Sequence, residues 1–421
     1  MGSQTLRSPL LAYPLLTLSL ALYGACTSDL PGADDDDSAG NDEPGPVTCA
    51  GDYALASSEH EAWLLESVPA VQRVTEISQI ADCEVIEGGL WLLGTSLTNL
   101  DGLSKLTSVG GDLEIFANTF TDVDGLASLT SVGGDLSIYN NTLSHLGGLA
   151  NLNTVGGDLN MEPIIPVAGD PDLYNNDTLS HLDGLLSLVS VAGDLGLPRG
   201  PLTDLDGLAS LTSVGGSLII YEQAALTHLN GLASLNSVGE SLIIIANPAL
   251  TNVDGLSNLT SVAGNFRIAN NTALVDVDGL ANLSTVGGAL DIFSNALTHL
   301  DGLSSLTSVG SMHICCSLDL TNLDGLSSLN SVADFLWIVN TGLTHLDGLS
   351  GLISVGGDLE ISENAVLTSL AGLSNLNSVA GDLSIHDNPV LCQTLVDAFI
   401  AACTSCGLPS SLSSDANDDS C

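Results

Sequence analysis

The sequence predicts a mainly β solenoid, one chain wound into about twelve stacked turns of short parallel strands. Three observations carry this. The tripeptide D-G-L, or a close variant, places its Gly at 102, 125, 148, 184, 207, 231, 255, 279, 302, 325, 348 and 372, so the step is 23 or 24 residues except for one of 36. A fixed period of that size is the signature of a solenoid. Within each unit, L-x-I alternates with period two as a strand requires, while Ser, Thr, Asn, Asp and Gly fill the remaining places and no sustained helical stripe interrupts them.

Taken in chain order, residues 1–25 hold Arg7 and then the apolar run PLLAYPLLTLSLALYGA, the layout of a secretory signal segment. Cys26, preceded by Gly24 and Ala25, resembles the lipobox of bacterial lipoproteins, whose first mature residue is a lipid-modified Cys; Tyr23 stands where that family usually has Leu. The resemblance implies a lipid anchor on Cys26 and export to the bacterial envelope or cell surface, at the outer membrane. An ordinary cleaved signal with Cys26 as a plain thiol is the alternative. Residues 26–48 are acidic and rich in Gly, Pro and Ser, which predicts a solvated tether. Residues 49–95 form the front cap with a degenerate first turn, residues 96–391 the solenoid with an insertion near 161–173, and residues 392–421 the rear cap.

The caps follow from the exposed apolar ends of any stack of repeats, which otherwise associate end to end. EHEAWLLESV predicts a short helix at the front. At the rear, QTLVDAFIAAC sets Leu395, Val396, Phe399, Ile400 and Cys403 on one helical face. Nine cysteines are present, and without Cys26 an even set of eight remains. In an exported chain these read as disulfides. Cys49 with Cys83 closes the front, and Cys392, Cys403, Cys406 and Cys421 close the back in an unassigned pairing. Cys315 and Cys316 are a vicinal disulfide or two thiols. With both ends covered, a monomer is expected.

Inside the repeat, Gly-Gly or Ala-Gly before L-x-I is read as permitting a tight bend into the strand. Twelve turns at about 4.8 Å predict a stack roughly 55 Å long. Asn118, Asn141, Asn247, Asn271, Asn295, Asn364 and Asn388 follow the Ile by three residues, where stacked amides can bond corner backbone groups of neighbouring turns. LEIFANTF (113–120) and LSIYNNTL (136–143) match the L-x-L-x-x-N-x-L core of leucine-rich repeats, with Gly110 and Gly133 in place of the usual Leu three residues earlier. That departure, the paired LDGL and VGGDLxI segments and the Cys-bounded front together resemble the receptor L-domain family. These are leucine-rich-repeat relatives built as right-handed parallel β-helix-like solenoids. The resemblance covers roughly residues 83–391. It implies binding through a solenoid face, and it carries over no catalytic residue.

Charge narrows the function. With 5 Lys+Arg against 50 Asp+Glu the formal charge is −45, which excludes nucleic acid and anionic membrane surfaces as partners; contact with a membrane is expected through the lipid anchor only. Outside the signal segment the basic residues are Arg73, Lys105, Arg199 and Arg267, too few and too scattered for the acidic-sugar chemistry of β-helical polysaccharide lyases. G-x-S-x-G, H-E-x-x-H and P-loop motifs are absent. No enzyme activity is expected, a β-helical polysaccharide-active enzyme being the least favoured reading.

Three columns were weighed as sites. The D-G-L aspartates (among them Asp101, Asp124, Asp254 and Asp347) are read as turn residues bonded to nearby backbone N–H groups, with weak Ca²⁺ binding as the alternative. His145, His181, His228, His299 and His345 share a position three before the D-G-L Gly; the longest ligand-capable stretch includes Asp122, His145 and His181, yet Asn, Asp and Ser fill the same place elsewhere, which marks an outward polar site. No other cofactor is expected. The outward strand positions vary most. They carry Glu114, Arg267, Asp291 and Trp337 inside L-x-I, and Phe116, Tyr139, Tyr221 and Phe293 just after it. With aromatic residues at only 4% of the chain, this predicts a contact stripe for a protein or glycan partner at the cell surface. The rival is a purely structural, possible calcium-stabilised, envelope protein with no specific ligand.

Overall fold

The computed structural model describes residues 45–57, 71–161, 176, 178–197, 199–403, 405–406, 417–419 and 421. The signal segment, Cys26, most of the tether, the predicted front helix and most of the 161–173 insertion lie outside the described residues. The described chain is a leucine-rich-repeat-like solenoid. A typical turn passes through one 3₁₀ turn (Asp101–Leu103), a two-residue strand (Ser108–Val109) and a four-residue strand (Leu113–Phe116) before the next begins; the second strand shortens to Leu159–Asn160 and Leu195–Gly196 beside the insertion. The strands stack in parallel and in register: Leu113 lies against Leu136, Glu114 against Ser137, Ile115 against Ile138 and Phe116 against Tyr139. Equivalent side chains of successive turns therefore sit above one another, as the fixed period requires.

The 3₁₀ turn at D-G-L is a correction, since the repeat was read as strands and corners alone. Leu100, Leu103, Leu106 and Val109 are all buried at a spacing of three. Three residues per turn is 3₁₀ geometry, which neither the strand nor the α-helix template detects. These residues, together with Leu113 and Ile115 and their counterparts in every turn, make one continuous core.

The tight corner lies after the four-residue strand, not before it. Ala117, Asn140, Ala246, Asn270 and Cys316 hold φ of 54–58° there, a left-handed conformation that costs a non-glycine residue about 1–2 kcal/mol. The next residue is a buried polar one, Asn in most turns and Ser317 after Cys316. Asn271 Nδ2 donates to Ile244 O at 2.9 Å, and its Oδ1 accepts the Asn247 N–H at 3.0 Å. Asn118, Asn141, Asn247, Asn295, Asn364 and Asn388 bond their neighbouring turns in the same way. Asn176 also joins this ladder from just after the insertion, donating to Ile138 O at 2.7 Å.

The glycines before the strand act by having no side chain at all. A Cβ on Gly110 would strike Glu87 O of the preceding turn, and one on Gly134 would strike Asp112 Oδ1. Close stacking, rather than a glycine-only bend, fixes them. At Val309 to Met312 one residue fewer separates the two strands than at Val109 to Leu113, and this corner straightens into a single strand, Ser308–Ser317.

Both ends are closed by disulfides and added rungs. Cys49 is bonded to Cys83, Cys392 to Cys421, Cys403 to Cys406, and Cys315 to its neighbour Cys316. Thr48–Cys49 and Tyr53–Ala56 already supply strands ahead of the degenerate first turn. At the rear the helix Gln393–Ala402 buries Val396, with Phe399 and Ile400 packed against the core. Leu395 is exposed and does not belong to the predicted face. Asn417 completes the Asn ladder, donating to Ile385 O at 2.9 Å and accepting the Asn388 N–H at 3.2 Å.

Candidate binding interface

The 3₁₀ column is a structural face. Its D-G-L aspartates are exposed, and where Asn, Asp or Ser stands two residues earlier that side chain is the acceptor: Asn99 Oδ1 takes the Asp101 N–H at 3.1 Å and Asp122 Oδ1 that of Asp124 at 3.3 Å; among the His, His145 Nδ1 takes that of Gly147 at 3.3 Å, while Nδ1 of His228, His299 and His345 has no hydrogen-bond partner. This corrects the expected role of the D-G-L carboxylates. It also explains why Asn, Asp and Ser alternate at the earlier position, since each offers an acceptor. The metal candidates separate. Asp122 and His145 gather with Asp124, their ligand atoms all within 4.8 Å, whereas His181 Nδ1 lies 3.0 Å from Asp204 Oδ2. Burial would raise the Asp204 pKa, but the Asp206 N–H, Thr203 and His181 outweigh it and hold the carboxyl below its usual range.

The two-residue strands present Ser or Thr in turn after turn, from Ser108 to Ser378. A groove of 380 Å³ beside Ser261, Thr285, Ser308 and Ser331 is lined by small uncharged residues and offers no acid–base pair.

The outward positions of the longer strands vary along the stack, and the predicted stripe resolves into separate groups there. At the front, the Phe116 and Tyr139 rings lie 4.8 Å apart, and Tyr139 donates to Glu114 Oε1 at 2.7 Å. Phe116 also packs on a small outer cluster of Ala54, Trp91 and Leu93 beneath Val71, so this part of the stripe is partly covered by the chain's own start. In the middle, Arg199 lies 5.0 Å over the Tyr221 ring and 3.7 Å from Glu222. Further on, Arg267 grips buried Asp291 through Nε and Nη2 at 2.9 and 2.7 Å and lies 5.8 Å from the Phe293 ring. Phe293, His313, Trp337 and Phe335 then follow at centroid separations of 6.3, 5.6 and 4.4 Å.

Phe335 and Arg199 were not singled out from the sequence. The available signal for Phe335 was an aromatic ring at the Asp position of VGGD, which becomes meaningful only once turns are aligned.

Burial raises the Glu114 pKa, the Tyr139 bond opposing it and the Asp112 charge adding to it. Burial also raises that of Asp135, against the Asp158 N–H bond and with the Asp112 and Asp158 charges. Between the unfolded carboxylate value of about 4 and these raised values, the folded chain holds more protons than the unfolded one, so stability falls as pH rises through that range. The melting temperature is expected to fall as pH rises from about 4 towards neutrality, and Glu114→Gln to raise it at the neutral end and flatten the profile. A wild-type melting temperature that climbs with pH over this interval contradicts the assignment.

No protein-family model and no curated protein matches the chain. Among solved structures, a leucine-rich-repeat protein of Leptospira interrogans is similar over 80% of this chain and 92% of its own, at 16% identity and a TM-score of 0.33. The fold assignment here rests on the ladders themselves. Among the described residues no helix is long and apolar enough to cross a membrane.

Proposed function

We propose that this protein is a non-catalytic binding scaffold, exported and held at the bacterial surface by a lipid on Cys26, which engages a protein or glycan through the outward face of its four-residue strands. Solenoids use long regular faces in this way. The supporting observation is the contrast between faces. The 3₁₀ column repeats Asp, Asn, Gly or Ala, and the short strands repeat Ser or Thr, whereas the outward strand positions vary widely along the stack and collect Phe, Tyr, Trp and Arg. Packing leaves those positions free to vary, so information about a ligand can reside there.

The test uses the full chain without its signal, with a glycan array and pull-down from envelope fractions. Phe293→Ala with Trp337→Ala is expected to abolish capture at an unchanged melting temperature. Capture equal to wild type places recognition elsewhere. Mass spectrometry of the mature N-terminus checks the anchor separately, an unmodified Cys26 ruling it out.

A further inference from the structure

The face just described is not uniformly acidic, and its charge changes in a block. In the VGGD segment, turns on the front side carry Asp112, Asp135, Asp158 and Asp194, and the last two turns carry Asp358 and Asp382. The six consecutive turns between them carry Ser217, Ser241, Asn265, Ala289, Ser311 and Phe335 at the same place. Loss of a structural role does not explain the whole exchange. Each Asp accepts the N–H of the next turn, as Asp112 Oδ1 does from Asp135 at 2.9 Å. Ser217 and Ser241 Oγ still accept that bond at 3.3 Å, and Asn265 Oδ1 does so at 2.8 Å. At Ser217 and Asn265 the hydrogen bond is kept and the charge is removed, whereas at Ser241 an acid stands one place earlier as Glu240.

The adjoining outward columns follow the same block. Within these six turns the VGGD segments keep two exposed acids, Glu240 and Asp334, and the charged residues on the strands and their left-handed corners are Glu222, Arg267 and Asp291. Each of these last three has an opposite partner, Arg199 for the first and each other for the remaining two. Burial lowers the His313 pKa, with Arg267 adding to it against Asp291 and Glu360, so its imidazole adds no charge at neutral pH. The rest of the surface is Ile219, Ile243, Tyr221, Phe293, Trp337 and smaller groups. Outside the block the acids return at once, as Asp194 and Asp158 on one side and Asp358, Glu360 and Glu363 on the other. Six turns at about 4.8 Å give an acid-poor, aromatic window about 24 Å long, in which Glu240 and Asp334 are the corner acids, bordered by turns that carry an Asp each.

Depletion of charge with enrichment in aromatic residues and Arg, inside a charged rim, is the composition of a protein–protein contact centre. The acidic border sets the partner's sign. A second copy would bring a matching acidic border against this one, and the chain's own segment at 27–44 is itself acidic. We propose that these six turns dock a protein whose contact surface has an apolar, aromatic centre and a rim of Lys and Arg. The proposal rests on the sheet-face reading above and narrows it.

Calorimetric titration of the full chain without its signal tests it. The probes are a synthetic peptide with a phenylalanine–leucine centre and lysine ends, the same peptide with glutamate ends, and neutral oligosaccharides. The lysine-ended peptide is expected to bind, more weakly as salt is raised, and the glutamate-ended one not to bind. A charge inserted in the window, by Trp337→Glu or independently by Ile243→Glu, should weaken binding about 10-fold or more, whereas Ser137→Glu outside it should change little. Failure of the lysine-ended peptide to bind, or binding indifferent to both window variants, overturns the proposal. Oligosaccharide binding that Trp337→Glu abolishes also overturns it while leaving the sheet-face reading intact. That wider reading fails only if envelope capture ignores Phe293→Ala with Trp337→Ala.

Discussion

Gly148→Ala is expected to destabilise the fold by about 3 kcal/mol or more, while Gly147→Ala, one residue away in the same 3₁₀ turn, stays within about 1 kcal/mol of wild type. A Cβ on Gly148 would run into Val123 O and the backbone of Asp124 in the turn before. Those atoms cannot yield, because the parallel ladders on either side hold the turn spacing. A Cβ on Gly147 would meet only His145 Nδ1 at 3.2 Å and Asp124 Oδ1 at 3.3 Å, both on side chains that can swing outward. Urea unfolding of the two variants checks this. Equal losses would mean that turn flexibility, rather than contact with the neighbouring turn, explains the glycine. The same contact recurs at Gly125, Gly207, Gly255 and Gly348 against Leu100, Leu182, Leu229 and Leu323 O. The spacing that exposes the repeat in the sequence thus records where two backbones touch.

The second large effect is expected at Asn271, which is fully buried. Asn271→Ala strips a partner from both Ile244 O and the Asn247 N–H, and neither can reach water. At about 1–3 kcal/mol for each buried group left unpaired, the loss should total roughly 3–5 kcal/mol. Asn282 also bonds an adjacent turn, with Nδ2 2.7 Å from Ser257 O, but on the exposed surface. Its replacement by Ala should cost under about 1 kcal/mol, since water takes the vacated place. Denaturant midpoints for the pair provide the comparison, and a small loss at Asn271 would show that neighbouring turns relax to rejoin the ladder.

Much of this was readable in advance. The period, the inward Leu, Ile and Val positions, the Asn column and the cysteine-rich ends all follow from letters that recur at fixed intervals. The reading weakened wherever one residue type serves two purposes. Asp in D-G-L was taken as the turn acceptor, when an Asn or Asp two places earlier fills that role and the D-G-L Asp is left in solvent. Gly before the strand was taken for a bend, when the left-handed residue comes after it. Leu395 was assigned to the cap face because helical periodicity alone gives no direction to the core. The aromatic residues read from the sequence as a contact stripe divide in space: the front group is packed against Trp91 and Leu93, while Phe293, His313, Trp337 and Phe335 form their own row.

The sequence by itself determined that the chain coils, how many turns it makes and which side chains fill the interior, because burial recurs at the repeat's own period. The tertiary structure decided that Cys392 meets Cys421 at the rear, how Asn417 closes the Asn ladder, and which outward side chains of successive turns lie together. Those features join residues 23 or more positions apart, and only the register of stacked turns brings them side by side.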